Sequence, residues 1–264
     1  MSFKGIAQSI VFLILLPGTL IVFRSVNRVP NVEAAPPSII LAAAADLFPV
    51  LGIIVKDFTE KTGIPVRVSY GASGEFALEI RNGAPFDVFL SADSSFPEKL
   101  VQEHLANPDT LKIYARGSLV LWSSQGRKTD QAGIKILENA SIQRIAIANP
   151  RFAPYGQAAI SCLGKKKILE DLRRKFVFGN SLAQVAEFVK ARTVDAAFLS
   201  ASQAQMLNGQ IKGVWIPLSP GCVPFLAQKM VVLKSSLQWR QARMFESFLL
   251  LPGTQRIFRS HGYF

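Results

Sequence analysis

The chain has 264 residues, of which 49% are hydrophobic. A chain of this length and composition can bury one large core or two smaller ones, which excludes a largely disordered protein. The formal net charge is +12, and such a positive field attracts small anions, nucleic acid and acidic lipid alike.

The first 34 residues are typical of an export signal. Lys4 precedes an apolar stretch at positions 6–23, and small or branched residues lead up to Ala34, after which we expect cleavage. An uncleaved membrane anchor is the alternative, because about 18 mostly apolar residues approach the lower limit for spanning a bilayer. Both alternatives place the rest of the chain in the periplasm or a similar extracytoplasmic compartment, and the second tethers it to the inner membrane.

Cys162 and Cys222 are the only cysteines of the chain. Neither lies near the N-terminus, so a lipid anchor on an N-terminal cysteine is excluded. After export the two could form a disulfide. The sequence leaves this pairing open, because it cannot place the two Cα atoms within bonding distance.

From Pro36 onward, short β-branched runs alternate with amphipathic helical stretches, which is the pattern of α/β folds. No internal repeat interrupts the pattern. The predicted strands are Ser38–Ala45, Val66–Tyr70, Asp87–Ser91, Ser118–Trp122, Arg144–Asn149, Lys175–Phe178, Ala196–Ser200, Gly213–Leu218 and Lys229–Lys234.

The clearest predicted helix covers Leu47–Lys61, where apolar residues recur at i, i+3, i+4, i+7, i+8 and i+11. Gly63 and Pro65 favour its end there. A second amphipathic stretch, Gln238–Leu251, ends at the Pro-Gly pair 252–253.

Four predicted strands run directly into the start of a helix, and these junctions are the candidate site. Asp46 and Ser73 are expected to cap the first two helices. Pro154 fits the first turn of the third helix. Ser181 and Gln184 have the spacing of a capping box on the fourth.

Helix N-termini present unpaired N–H donors and a partial positive charge. Several of them meeting at one point would form an anion cage without any lysine or arginine. Neutral donors suit a fully deprotonated oxyanion, because a protonated competitor would bring its O–H against another donor. An ordinary helix cap is the alternative at each single junction, and spacing alone does not prove that the four converge.

Several longer stretches resemble the periplasmic molybdate-binding proteins of ABC importers. The likeness runs in unbroken order over about residues 38–264, and GAPFDVFLSAD is its most specific part. The stretches are LAAAADL (Leu41–Leu47), YGASGE (Tyr70–Glu75), NGAPFDVFLSAD (Asn82–Asp93), RGSLVLW (Arg116–Trp122), ANPRFAPYG (Ala148–Gly156) and IFRSHGYF (Ile257–Phe264).

This resemblance implies an α/β fold of the type II periplasmic-binding class, with two α/β lobes joined by two crossover strands. Residues 35–117 with 223–264 would form the first lobe, and residues 118–222 the second. It further implies a monomeric receptor that closes on a small oxyanion, molybdate or tungstate, and then docks on an ABC permease in the membrane. It implies no cofactor, no catalytic residue and no side chain that coordinates the metal atom directly.

The first ligand position that the resemblance implies falls at Ala45 and Asp46, where the family usually places a hydroxyl or amide side chain beside a donated backbone N–H. Asp46 departs from this pattern, and a carboxylate facing a dianion would repel it. We therefore expect Asp46 to cap its own helix while the segment donates backbone N–H groups. Ser73 matches the family's serine and is expected to donate both its O–H and its N–H.

The remaining implied ligands lie on the second lobe. Tyr155 and Leu182 occupy the third and fourth positions and are expected to donate backbone N–H groups. Ser200 stands where the family commonly has a tyrosine hydroxyl. Its shorter reach leaves open whether a water or Tyr155 makes that contact. Asp93 is interpreted as a helix cap near the cleft and not as a ligand.

An enzyme is not expected, since the sequence lacks a nucleophile and base pair at a workable spacing. His104 and His261 are the only histidines, and neither belongs to a metal-binding pattern. The chain also has no P-loop, dinucleotide-binding glycine motif or G-x-S-x-G elbow.

Other ligands and other classes stay open. Sulfate shares the charge and shape of molybdate, so the same fold could bind it, whereas the scattered tyrosines make an iron site improbable. The charge also suits a tethered sensory or nucleic-acid-binding domain. However, no nucleic-acid motif accompanies the basic run at 165–175, which is interpreted as a solvated helix face.

Overall fold

The computed structural model describes residues 38–124, 133–219, 221–223 and 225–264. The export signal or anchor predicted at residues 1–34 lies outside these described residues. Within them, no helix has both the length and the apolar character that crossing a bilayer requires.

The first of two five-stranded sheets has the strand order β2-β1-β3-β10-β4. β1 pairs in parallel with β2 and β3, and β10 pairs antiparallel with β3 and β4. Its strands are β1 (Ile39–Ala44), β2 (Val66–Gly71), β3 (Val88–Leu90), β4 (Lys112–Gly117) and β10 (Leu226–Val232).

The second sheet has the order β7-β6-β8-β5-β9. β6 pairs in parallel with β7 and β8, whereas β5 pairs antiparallel with β8 and β9. Its strands are β5 (Leu119–Ser123), β6 (Ile145–Ala148), β7 (Phe176–Gly179), β8 (Ala196–Ser200) and β9 (Val214–Pro217).

Helices cover the two sheets, and several begin directly after a parallel strand. The helices of the described residues are α1 (Phe48–Thr62), α2 (Ser73–Arg81), α3 (Ser95–Gln102), α4 (Pro154–Lys165), α5 (Leu169–Leu172), α6 (Leu182–Lys190), α7 (Ala201–Leu207), α8 (Trp239–Leu249) and α9 (Pro252–Ser260). A 3-10 turn at Ala45–Leu47 joins β1 to α1.

Helix α1 illustrates how the sequence pattern fixes an element. Its apolar stripe is buried against the first sheet, with Val50, Leu51 and Phe58 fully inaccessible to solvent. The helix ends where Gly63 adopts φ 72° and donates its N–H to the carbonyl of Thr59 at 2.8 Å. Glycine adopts this left-handed conformation without steric cost, so the predicted end of the helix is confirmed.

The predicted alternation of strands and helices is confirmed, and each predicted strand overlaps an observed one. Sequence reasoning missed β4, because charged Lys112 and Arg116 interrupt its apolar residues. The chain passes from one sheet to the other between β4 and β5, and returns between β9 and β10. The exact lobe boundaries at 117/118 and 222/223 stay a prediction.

The structure also answers the question of the cysteines. Cys162 of α4 and Cys222 form a disulfide, with their Cα atoms 4.8 Å apart. The bond ties α4 to the segment that returns the chain to the first sheet.

Candidate functional site

One small cavity lies where strands of both sheets end and the following helices begin. It contains five of the six residues predicted as ligands, namely Ala45, Asp46, Ser73, Tyr155 and Leu182. The other lining residues are Ala44, Gly71, Ala72, Ala92, Ala153 and Pro154. The four junctions therefore converge, as an anion cage requires. The site also follows the general rule that α/β sheets bind ligands beyond the carboxyl ends of their strands.

The residues that line this cavity include the first residues of several helices, so their backbone N–H groups are its candidate donors. Ser73 and Leu182 are the first residues of α2 and α6, and Tyr155 is the second residue of α4. Asp46 lies inside the 3-10 turn that precedes α1. Amide groups in a first helical turn have no carbonyl partner within their own helix, and the helix dipole adds positive potential there. The cavity is thus suited to a negative ligand.

Ser73 has a different local role from the one predicted. Ala72 occupies the N-cap position of α2, and no side chain caps this helix. Instead, the Ser73 hydroxyl oxygen accepts a hydrogen bond from the Ala92 N–H at 3.0 Å. A serine hydroxyl that accepts through its oxygen still has its proton to donate. Its side chain is 1% exposed, so the proton has no bulk water to bond.

The prediction that Asp46 caps its own helix is wrong. No side chain caps the turn at 45–47 or the start of α1. The Asp46 carboxylate accepts three hydrogen bonds on Oδ2: from Gln228 Nε2 at 2.6 Å, from the Tyr263 hydroxyl at 3.1 Å and from the Tyr155 hydroxyl at 3.3 Å. These side-chain donors on distant elements compete successfully with the local backbone for the carboxylate.

The donors around Asp46 form a connected network. Tyr114 of β4 donates to Gln228 Oε1 at 2.9 Å, which orients the Gln228 amide so that its nitrogen faces Asp46 and Tyr155. The Tyr263 hydroxyl also donates to the Asp46 carbonyl at 2.7 Å. Burial raises the pKa of Tyr114, Tyr155 and Tyr263 well above the usual value of 10, so all three hydroxyls keep their protons.

Asp46 itself is 1% exposed. Desolvation of the buried carboxylate raises its pKa to about 6, although the hydrogen bonds from Gln228, Tyr263 and Tyr155 oppose the shift. Among the described residues, no partner is present for the Asp46 Oδ1 atom, which is also buried. The wall of the cavity thus contains a carboxyl group with one satisfied and one unsatisfied oxygen.

The capping box predicted at the fourth junction does not form. Ser181 occupies the N-cap position of α6, but its side chain makes no capping hydrogen bond. Gln184 Oε1 accepts from the N–H of Asn180 at 2.7 Å, one residue earlier than the capping-box pattern requires. Leu182 is the first residue of α6, so its N–H has no carbonyl partner within the helix.

Ser200 is not brought to the cavity. Its hydroxyl caps α7 by accepting the N–H of Gln203 at 3.1 Å. The Ser200 hydroxyl also donates to Gln203 Oε1 at 3.4 Å, and Ser200 is absent from the cavity wall. The tyrosine hydroxyl that does reach this region is that of Tyr155.

Gly74 supplies a direct contact between the two halves of the cavity. Its N–H donates to the carbonyl of Phe152, which follows β6, at 2.8 Å. A Cβ atom at this position would lie 2.9 Å from both the Phe152 Cα and the Phe96 ring. Only glycine allows α2 and the loop after β6 to approach this closely.

Sequence reasoning missed Gln228, Tyr114 and Tyr263 as parts of the site. A weak signal existed for Gln228, which is a fully buried polar residue inside the apolar strand β10. Within the ranges that the structure describes, no group of three or more His, Cys, Asp or Glu side chains could hold a metal ion.

Two α/β sheets linked by two chain crossings, with a buried cavity between helix N-termini, define the class of two-lobe solute-binding proteins. Residues 39–264 match the family of bacterial extracellular solute-binding proteins. The molybdate-binding protein ModA of Rhodobacter capsulatus is 36% identical over 230 residues, which cover 87% of this chain and 89% of the relative. ModA of Azotobacter vinelandii is 34% identical over 224 residues, covering 84% and 88%.

A solved structure agrees with these sequence matches. The periplasmic molybdate-binding protein of Azotobacter vinelandii superposes with a TM-score of 0.81 at 31% identity, covering 86% of this chain and 99% of that one. The chain belongs to the ModA family of bacterial extracellular solute-binding proteins. The predicted type II fold is confirmed, and these relatives are named as molybdate-binding proteins.

Proposed function

We propose that this chain is the receptor of an ABC importer and captures molybdate or tungstate in the cavity between its two sheets. One observation carries the proposal: uncharged donors from four separate helix starts meet at one buried cavity. Among the described residues that line it, none is lysine, arginine or histidine.

In this proposal the backbone N–H groups of Ala45 or Asp46, Ser73, Tyr155 and Leu182 bind the anion. The Ser73 hydroxyl adds a fifth donor, because its oxygen is already satisfied by Ala92. A fixed set of neutral donors can pair the lone pairs of a deprotonated tetrahedral oxyanion. The metal atom is bound only through its oxygens.

Ligand binding would favour the closed form of the protein. The proposed donors belong to elements of both sheets, so an anion that contacts all of them interacts better with the closed arrangement than with an open one. The closed form would then dock on a membrane permease. We further propose that the receptor acts as a periplasmic monomer without a cofactor, with the segment 1–34 as signal or tether.

Sulfate is the second candidate, because it has the same charge and shape as molybdate in a smaller volume. Alanines at positions 44, 45, 72, 92 and 153 line the cavity. These short side chains do not by themselves separate the two anions, and it is the likeness to molybdate-binding relatives that favours molybdate.

Calorimetric titration of the purified protein with molybdate, tungstate, sulfate and phosphate at pH 6 tests the proposal. We expect micromolar or tighter binding of the first two and roughly hundredfold weaker binding of phosphate, a gap of about 2.7 kcal/mol. Equal affinity for all four anions would contradict the proposed selectivity. Binding that falls steeply with salt would instead support the nucleic-acid alternative, because a buried anion is screened only weakly.

A further inference from the structure

The unsatisfied oxygen of Asp46 is the most unusual feature of the cavity wall. All three side-chain donors that reach this carboxylate bind Oδ2. Oδ1 is buried and has no partner among the described residues, although Asp46 lines the cavity. Buried polar atoms are rarely left unpaired in a folded protein, and an exception indicates an absent ligand, ion or proton.

The side chains that contact Asp46 bring no positive charge to it. Tyr155 of α4, Tyr263 after α9 and Gln228 of β10 are neutral donors. Tyr114 stands behind Gln228, and burial keeps its hydroxyl protonated. The negative charge of Asp93 raises the pKa of Tyr114, so Asp93 adds negative potential and no positive charge to this network.

Within the described part of the chain, the elements packed most closely against the turn 45–47 bring no cation to Asp46 either. These elements are α1, β2, α6 and α7. α7 contains no titratable residue. β2 contributes Tyr70, whose pKa is raised by burial, and Arg67, whose side chain is exposed to solvent. On α6, Glu187 and Lys190 pair with each other at 2.7 Å on the exposed side. On α1, Lys61 pairs with Asp57 and Lys56 pairs with Glu60, both in the second half of the helix.

An ionised Asp46 would therefore face a bound dianion without compensation. Two like charges in a site from which water is excluded repel each other strongly. Protonation of Oδ1 removes this repulsion and converts the unsatisfied acceptor into a donor. Oδ2 can keep its three hydrogen bonds, because all three come from neutral groups.

We infer that the complex holds one proton between Asp46 Oδ1 and an oxygen of the bound anion, so that a fully deprotonated oxyanion is taken up together with a proton. This inference rests on the proposed function, since it names how that site accepts its ligand. Asp46 becomes a sixth neutral donor and a determinant of specificity, although its position in the sequence first suggested repulsion.

The inference predicts how affinity depends on pH. The raised pKa of Asp46, about 6 in the free protein, marks the point above which the protein must gain a proton in order to bind. Above it, the affinity for a dianion should fall about tenfold for each pH unit, and below it the affinity should level off. About one proton should be taken up per anion at pH 8.

Calorimetric titration with molybdate tests both expectations. At pH 8, titrations in two buffers of different ionisation enthalpy give the number of protons taken up, and titrations from pH 6 to pH 9 give the slope. The variant Asp46→Asn keeps an acceptor for Gln228 and presents N–H groups at the position of Oδ1. We expect it to bind with no proton uptake, with an affinity that does not change between pH 6 and pH 9.

Asp93→Asn is the matched control. The Asp93 carboxylate accepts from Ser91, Ser95 and the N–H of Phe96 outside the cavity wall, so this variant should still take up about one proton. A wild-type protein that binds molybdate at pH 8 without proton uptake would overturn the inference. The proton uptake of the wild-type protein tests the inference even if Asp46→Asn fails to fold. Failure of the wild-type protein to bind any tetrahedral oxyanion at pH 6 would instead overturn the proposed function.

Discussion

The buried Asp46 carboxyl makes the stability of the ligand-free protein depend on pH in a predictable direction. Its pKa is raised from 3.8 to about 6 by burial. The folded state therefore holds the Asp46 proton more tightly than the unfolded state does. This contribution to stability is fully present below the unfolded pKa of 3.8, and it is lost as the pH rises through the folded value of about 6.

The magnitude follows from the size of the shift. A change of roughly two pKa units corresponds to about 3 kcal/mol, at 1.36 kcal/mol per unit. Asp46→Asn cannot ionise, so it avoids this loss. The unfolding free energy of the variant minus that of wild type should therefore be about 3 kcal/mol larger at pH 8 than at pH 4.

Urea unfolding of both proteins without ligand, at pH 4, 6 and 8, measures this gain. Asp109→Asn, at an exposed carboxylate, controls for the general effect of removing one negative charge. The reasoning is refuted if the difference in unfolding free energy between wild type and Asp46→Asn is the same at pH 4 and pH 8.

Three further substitutions test the site and its support. Ser73→Ala should weaken molybdate binding by about 1 to 3 kcal/mol in calorimetry, since it removes a hydroxyl donor to a charged ligand; unchanged affinity would leave Ser73 a purely structural role. Gly74→Ala should weaken binding with little change in unfolding free energy, because its Cβ would keep α2 from Phe152; unchanged affinity would show that this approach is not needed. Replacing Cys162 by Ser should lower the unfolding free energy by about 4 kcal/mol, the expected value for a loop of this length; a reducing agent should have the same effect on wild type and none on the variant.

Local sequence patterns predicted the elements whose cause is local. The α1 stripe and the glycine at position 63 lie within one segment, so periodicity and conformational preference sufficed. The convergence of the helix starts was also accessible, because parallel strands of one sheet end at the same edge. Strand β4 was missed because its burial comes from pairing with β10, a contact over a long sequence distance that the segment itself does not encode.

The role of Asp46 was unpredictable for the same reason. Gln228 and Tyr263, which hold its carboxylate, lie 182 and 217 positions away along the chain. A residue after a strand and before a helix is ordinarily a cap, and only the folded chain brings competing donors to it. Ser200 shows the opposite case, since its hydroxyl forms a local cap bond and the residue is absent from the cavity wall.

Gly117 leaves the space that the contact between Tyr155 and Asp46 requires. A Cβ at this position would collide with the Tyr155 hydroxyl and with the Gln228 amide. The glycine lies at the end of β4, where the chain is about to pass to the second sheet. Its missing side chain lets Tyr155 of α4, the helix that follows β6 of the second sheet, reach Asp46, which follows β1 of the first sheet. The contact that adjusts the proton affinity of Asp46 is therefore also a contact between the two halves of the protein. Any opening that separates Tyr155 from Asp46 removes one stabilising donor and admits water, so the protonation of Asp46 should be coupled to closure as well as to the anion.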